Sequence, residues 1–200
     1  MTALVPRPPR KRKVANLLGL AILSYLSQEP MHPYQLSRTL RDHGDARSVK
    51  FNHGSLYAVI EQLTKAGFVV PKEVARAGQR PERTVYAITD AGRRELHDWL
   101  GSLLGEPAHE YPQFVAALAF IAALPPDEAL ARLHTRASKI AEERDAIRTL
   151  VDGTLAQGVP ELFLIEEEYR IAMLAAEAAF VESLINTITR KRWSAVWNKV

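Results

Sequence analysis

The sequence predicts a mainly α-helical protein in two parts: three helices with a β-hairpin, then a wholly helical remainder. Three observations predict it. Apolar residues recur at helical spacing through most of the chain. The period breaks only at residues 68–76 and 83–89, which are rich in Val, Phe, Tyr, Ile and Thr. Gly or Pro punctuates each boundary, at Pro30, Gly44, Gly67, Gly105, Pro125 and Gly158. With 200 residues, 47% hydrophobic and 24% charged, the chain suits one or two domains with a sizeable core.

Residues 1–13 hold three Pro and five basic side chains, which predicts a disordered basic arm. Such an arm can track phosphates or enter a minor groove. Its end, Pro9-Arg10-Lys11-Arg12-Lys13-Val14, also has the pattern of a nuclear-localisation signal. The first helix spans residues 14–27, with Leu17, Leu18, Ala21, Ile22 and Tyr25 in phase. The second starts at Pro33, whose missing N–H costs nothing in a first turn, and stops at Gly44. The third begins near Asn52, a good N-cap, carries Leu56, Val59, Ile60 and Leu63 as its stripe, and closes at Gly67. The hairpin follows, with Ala77-Gly78-Gln79-Arg80-Pro81-Glu82 as a long basic tip. The fourth helix is capped by Thr89 or Asp90 and uses Leu96, Trp99, Leu100 and Leu103.

The expected domains are therefore residues 14–104, a linker at 105–112, and a helical domain over 113–200. In the last, 114–124 is strongly apolar. A helix then runs to about 157 with Leu130, Leu133, Ala137, Ile140, Ile147 and Val151 inward. The final helix spans 161–190, with a stripe of Leu162, Ile165, Tyr169, Ala172/Met173, Ala176, Phe180, Leu184 and Ile188. No uninterrupted apolar run reaches the eighteen or so residues of a membrane span, and no membrane partner is expected. The basic start and apolar stretch mimic a signal peptide, but residues 25–30 offer no small-residue cleavage site.

Charge is shared unevenly. Residues 1–105 carry 16 Lys and Arg against 9 Asp and Glu, a net +7, whereas 106–200 carry 10 against 14, a net −4. A basic first half suits a polyanionic partner. There is no Cys, hence no disulfide, thiolate metal site or cysteine nucleophile, and cytosol is the expected compartment. None of the six His lies at i+4 from another with an acid between, and no HExxH, G-x-S-x-G, P-loop or GxGxxG occurs. Glu166-Glu167-Glu168 reads as a solvated face. Neither an enzyme nor a bound metal or cofactor is expected.

Three helices followed by a hairpin is the order of a winged helix-turn-helix, which places its third helix in the major groove of double-stranded DNA. At 100° per residue, Leu56, Ile60 and Leu63 share one side, while Gly54, Ala58, Glu61, Gln62 and Lys65 point away. The candidate DNA contacts on this helix are Asn52, His53 and Ser55 at its start, Tyr57 at the edge, and Gln62 and Lys65 beyond. Glu61 is held off by Lys65 at i+4. On the wing they are Arg76, Gln79, Arg80 and Arg83, suited to phosphates or the minor groove. A merely solvated charged loop is the alternative for the wing.

The residues also resemble a family. Met31-His32-Pro33-Tyr34-Gln35-Leu36 is similar to the HGY-x-L start of helix two in PadR-type transcriptional regulators. Asn52-His53-Gly54-Ser55-Leu56-Tyr57, then Leu63, Gly67 and Phe68, resembles their G-[ST]-[LI]-Y core. The run from Arg80 through Tyr86, Thr89 and Gly92 resembles their wing signature. The match spans roughly 14–104. Pro33 replaces the common Gly, and Ala58 stands where Pro is frequent. The resemblance implies a homodimeric bacterial repressor that dimerises through a long helical C-terminal region and, in some members, is released by a small aromatic effector. Tyr111, Phe114, Phe120, Phe163, Tyr169, Met173 and Phe180 can line a pocket, or are simply core. The wide apolar stripes of the last two helices point to a second copy, and two-fold symmetry to an inverted-repeat operator with half-sites about one helical turn or a multiple apart. Two alternatives stand beside this: a MarR-like regulator, which usually has a dimerising helix before the wing domain, and a winged helix used only for protein contact. Trp193 and Trp197 fit either a dimer seam or a frayed terminus.

Overall fold

The computed structural model describes residues 12–72, 84–190 and 193–197. The chain divides into two compact units, Met1–His109 and Glu110–Val200.

The first unit contains α1 (Leu17–Gln28), α2 (Pro33–Asp42), a short 3-10 turn, α3 (His53–Lys65), β1 (Val69–Lys72), β2 (Val85–Ile88) and α4 (Asp90–Gly105). Each helix starts where a side chain satisfies an orphan amide. Asn16 Oδ1 accepts from Leu18 N–H at 3.0 Å, and His32 Nδ1 accepts from Tyr34 N–H at 3.0 Å with Pro33 in the first turn. Of the two caps expected for α4, Thr89 is the one used, and Asp90 lies inside the first turn. Helix α1 begins three residues later than its pattern predicts, because Asn16 caps it; Val14 is buried ahead of it, outside any helix or strand.

The core is built from Leu18, Ile22, Leu23 and Leu26 of α1, Leu36 and Leu40 of α2, the stripe of α3, and Val69. Leu17 is exposed, contrary to the expected phase of α1. Of the four residues expected inward on α4, Leu96 and Trp99 are buried, while Leu100 and Leu103 are exposed.

The strands are antiparallel in the register Val69↔Ile88, Val70↔Ala87, Pro71↔Tyr86 and Lys72↔Val85. A third strand position was not legible in the pattern: Met31 exchanges both backbone hydrogen bonds with Tyr86, at 3.0 and 2.9 Å. Tyr86 therefore turns its N–H and C=O toward Met31 and away from β1. Pro71 sits opposite in a position that needs no donor, which is why a proline is tolerated there. The wing tip expected at 77–82 lies outside the described residues, as does the arm up to residue 11. Arg12, counted with that arm, is fixed: its guanidinium bonds Glu95 at 2.8 Å and Asp98 at 3.1 Å and lies over the Trp99 ring.

The second unit contains α5 (Gln113–Ala119), a 3-10 turn, α6 (Pro126–Ala156), a 3-10 turn at Glu161–Leu164, α7 (Ile165–Thr189) and α8 (Ser194–Trp197). Helices α6 and α7 pack antiparallel across Gly158, which sits at φ +84°. Ala129, Leu133 and Ile140 of α6 cluster with Val181, Leu184 and Ile188 of α7, while Ile147 and Val151 of α6 cluster with Leu164, just ahead of α7. Most of the stripe expected for α7 is on the wrong side. Leu162, Ile165, Tyr169, Met173 and Phe180 are exposed, and the side turned to α6 is Leu164, Glu167, Ile171, Leu174, Ala178 and Val181. The helix is apolar nearly all round, so periodicity could not choose its inner face. The same property gives Glu161–Thr189 an 18-residue window of mean hydropathy 1.5, long and apolar enough to cross a bilayer by length and composition alone. One such helix is also what a packed bundle needs, and Glu177 within it is ion-paired to Arg136 of α6. Trp197 is buried in this unit's core and donates its Nε1–H to the Leu124 carbonyl at 2.8 Å, whereas Trp193 is exposed.

Gly92 tests the fit of α4 on the hairpin. A Cβ there would lie 2.1 Å from the Phe68 carbonyl oxygen and 2.7 Å from Ile88 Cγ1. Gly92→Ala should destabilise the first unit by about 2–3 kcal/mol, the scale of an overpacked core position, visible as a lower midpoint in urea melts. An unchanged midpoint would mean that α4 does not approach β1 this closely.

Candidate nucleic-acid interface

Helix α3 is held by one face. Leu56, Val59, Ile60 and Leu63 are buried against α1 and α2, and Gly67, at φ +77°, ends the helix so that Phe68 can turn into β1. The outer face is thereby turned to solvent: His53, Gly54, Tyr57, Ala58, Glu61, Gln62 and Lys65 are all exposed. Ala58, at the position where proline was noted as frequent, lies in an unbroken helix.

The start of α3 is a reciprocal capping box. Asn52 Oδ1 accepts from Ser55 N–H at 2.8 Å, and Ser55 Oγ accepts from Asn52 N–H at 2.8 Å. The Ser55 hydroxyl also donates to the Asn52 carbonyl at 2.9 Å. Both capping side chains are thus engaged within the helix, and Ser55 is half-buried. Their geometry suits positioning the helix start more than reading a base. His53 and Tyr57 lie one turn apart with ring centroids 5.0 Å apart and planes at 65°, an edge-on pair that restrains both.

Glu61 and Lys65 form the expected ion pair, at 2.6 Å. The Lys65 ammonium, by hydrogen bond and by charge, holds the Glu61 carboxyl below its usual range. Glu61 is therefore charged at neutral pH but offset on its own helix. Gln62, exposed beside this pair, carries an amide able to give and accept two hydrogen bonds in one plane, the geometry that reads adenine. Gly54 and Ala58 keep that face low, so a duplex can approach closely.

Of the ten predicted contacts, six cluster on α3: Asn52, His53, Ser55, Tyr57, Gln62 and Lys65. Arg76, Gln79, Arg80 and Arg83 lie outside the described residues. Lys72 is exposed at the wing base. Lys50, an exposed cation two residues ahead of the Asn52 cap, was not legible in the sequence, because loop residues carry no periodicity. Among the described residues no group of His, Asp and Glu has the arrangement to hold a metal ion. The aromatic set named for a pocket encloses none within the second unit: Tyr111, Phe120, Phe163, Tyr169, Met173 and Phe180 are exposed, and only Phe114 is partly buried, under the Arg136 guanidinium.

Helices α1–α3 followed by a paired hairpin and α4 define a winged helix-turn-helix protein, followed here by a helical unit. Residues 22–98 match the transcriptional regulator PadR-like family. The match covers the wing domain and bears out the PadR-type resemblance read in the sequence; members of that family are transcriptional regulators, not enzymes. The chain is 30% identical over 115 residues to the negative transcriptional regulator PadR of Bacillus subtilis, an alignment covering 57% of this chain and 62% of that relative. It is similar in fold to the crystal structure of Bacillus subtilis PadR in complex with operator DNA, with a TM-score of 0.69 and 21% identity over 86% of this chain and 99% of that one. The structure of the same protein in complex with p-coumaric acid matches with a TM-score of 0.72 and 20% identity, over 87% of this chain and 99% of that one.

The capping box sets a stability prediction. Asn52→Ala should lower unfolding free energy by about 1 kcal/mol, the usual worth of an N-cap, whereas Gln62→Ala should stay within about 0.5 kcal/mol, as exposed substitutions do. Urea denaturation of the two variants beside the parent distinguishes them; equal losses would contradict the assigned roles.

Proposed function

We propose that this protein is a cytoplasmic, sequence-specific DNA-binding regulator that represses transcription as a homodimer on an inverted-repeat operator. The observation that carries this reading is the outward face of α3, where Tyr57, Gln62 and Lys65 are exposed on a helix whose other side is locked in the core. Gln62 reads bases, Lys65 and Lys50 meet phosphates, His53 and Tyr57 contact the groove wall, and Asn52 and Ser55 fix the helix start. Arg76, Gln79, Arg80 and Arg83 of the wing bind the backbone or minor groove beside it. The Bacillus subtilis relative, with its operator complex, supports the DNA partner, and its p-coumaric acid complex supports a small aromatic effector that releases DNA.

Arg80→Ala with Arg83→Ala should lower affinity several-fold on any sequence and flatten the salt dependence, because two phosphate-binding cations are lost. Mobility shifts with DNA from upstream of the protein's own gene, across a salt series, measure both. Gln62→Ala should instead relax base preference at one operator position while leaving the salt slope unchanged. A double wing variant that binds as tightly as the parent contradicts the wing assignment. Parent protein that binds no duplex better than a winged helix built for protein contact would leave that alternative standing.

A further inference from the structure

Helix α7 has two seams, and only one of them is used within the chain. The inner seam passes through Glu167, Leu174, Val181 and Ile188 and faces α6. The outer seam, one residue earlier, runs from Glu166 to Arg190 in alternating steps of three and four residues, the spacing of a helix that pairs lengthwise with another. It is open: Tyr169, Met173 and Phe180 are 66%, 53% and 50% exposed.

We infer that this outer seam pairs with the same seam of a second copy, antiparallel, about a two-fold axis level with Ala178. The inference rests on the dimer reading above and specifies its register. An axis there sets residue i against residue 356 minus i of the partner. Every seam position then meets a complement. Phe180 faces the small Ala176, Met173 faces Ser183, and Tyr169 faces Thr187, so each large side chain meets a short one. At each end Glu166, in the first turn, faces Arg190, just past the last turn. Each pair occurs twice by symmetry, as a closed two-fold interface requires. The antiparallel arrangement also sets the acidic start of one helix, Glu166-Glu167-Glu168, beside the basic end of the other, where opposite helix dipole ends meet. A shallow depression on the C-terminal half of α7, lined by Ala179, Ser183, Thr187 and Arg190 among others, lies where this register brings the other copy's Tyr169 and Met173. No other register about a central axis pairs both the charges and the sizes.

Charge exchange tests the ends and crosslinking tests the axis, both on the full chain. Glu166→Arg or Arg190→Glu alone should weaken the dimer at least tenfold in sedimentation, since like charges then face each other; the two together should restore it. The chain has no Cys, so single thiols report position. Ala179→Cys lies beside its own symmetry mate and should crosslink with a short bis-maleimide. Thr187→Cys is displaced from its mate by eighteen residues, about 27 Å along the helix, and should not. Crosslinking at 187 but not at 179, or a charge-exchanged pair that stays dissociated while the parent is dimeric, overturns this register and leaves the dimer reading intact. A parent chain that sediments as a monomer at every concentration overturns both.

Discussion

The oily stripe of α3 constrains everything else in the first unit. Leu56, Val59, Ile60 and Leu63 are buried under α1 and α2, and burying four aliphatic side chains is worth on the order of 6–12 kcal/mol before entropy is counted. That stripe sets the rotation of α3 about its axis. A helix turned by one residue would swing about 100° and bring Tyr57 and Lys65 toward the core. The polar face exists as a surface only because the apolar face is satisfied.

Supporting contacts then fix where α3 begins and how the hairpin leaves it. The Asn52–Ser55 box defines the first turn. At the other end Thr89 Oγ1 donates to the Gly67 carbonyl at 2.8 Å while accepting from Gly92 N–H at 3.0 Å. One hydroxyl thus joins the close of α3 to the start of α4. Tyr25 acts similarly at the other side of the core: its hydroxyl bonds Asp45 and lies 3.0 Å from His43 Nδ1, tying α1 to the turn after α2. Burial and the neighbouring Asp45 carboxylate push that phenol well above its ordinary pKa, so it stays a donor at any physiological pH. A rigid platform of this kind gives side chains on α3 a defined geometry toward a duplex.

The second unit follows a different logic. Its α6–α7 pair closes one apolar seam and leaves another exposed, so the unit is complete in secondary structure but not in burial. Exposed Tyr, Met and Phe side chains in heptad spacing are unusual on a surface that meets only water. The proposed dimer would give those side chains a self-complementary partner.

Much of this was determined by the sequence alone. Helix order, the cap at Asn52, the buried stripe of α3 and the Glu61–Lys65 pair all follow from interactions within a few residues, where spacing dictates geometry. Tertiary structure decided what spacing leaves open. Met31 joined the sheet because a distant backbone needed partners, and Arg12 left the expected arm for Glu95 and Asp98. Ser55 turned its hydroxyl into the capping box, and α7 chose its inner face from two nearly equal ones. A helix that is apolar on both sides carries no local record of which side its neighbour will take; only the packing of α6 against it settles that.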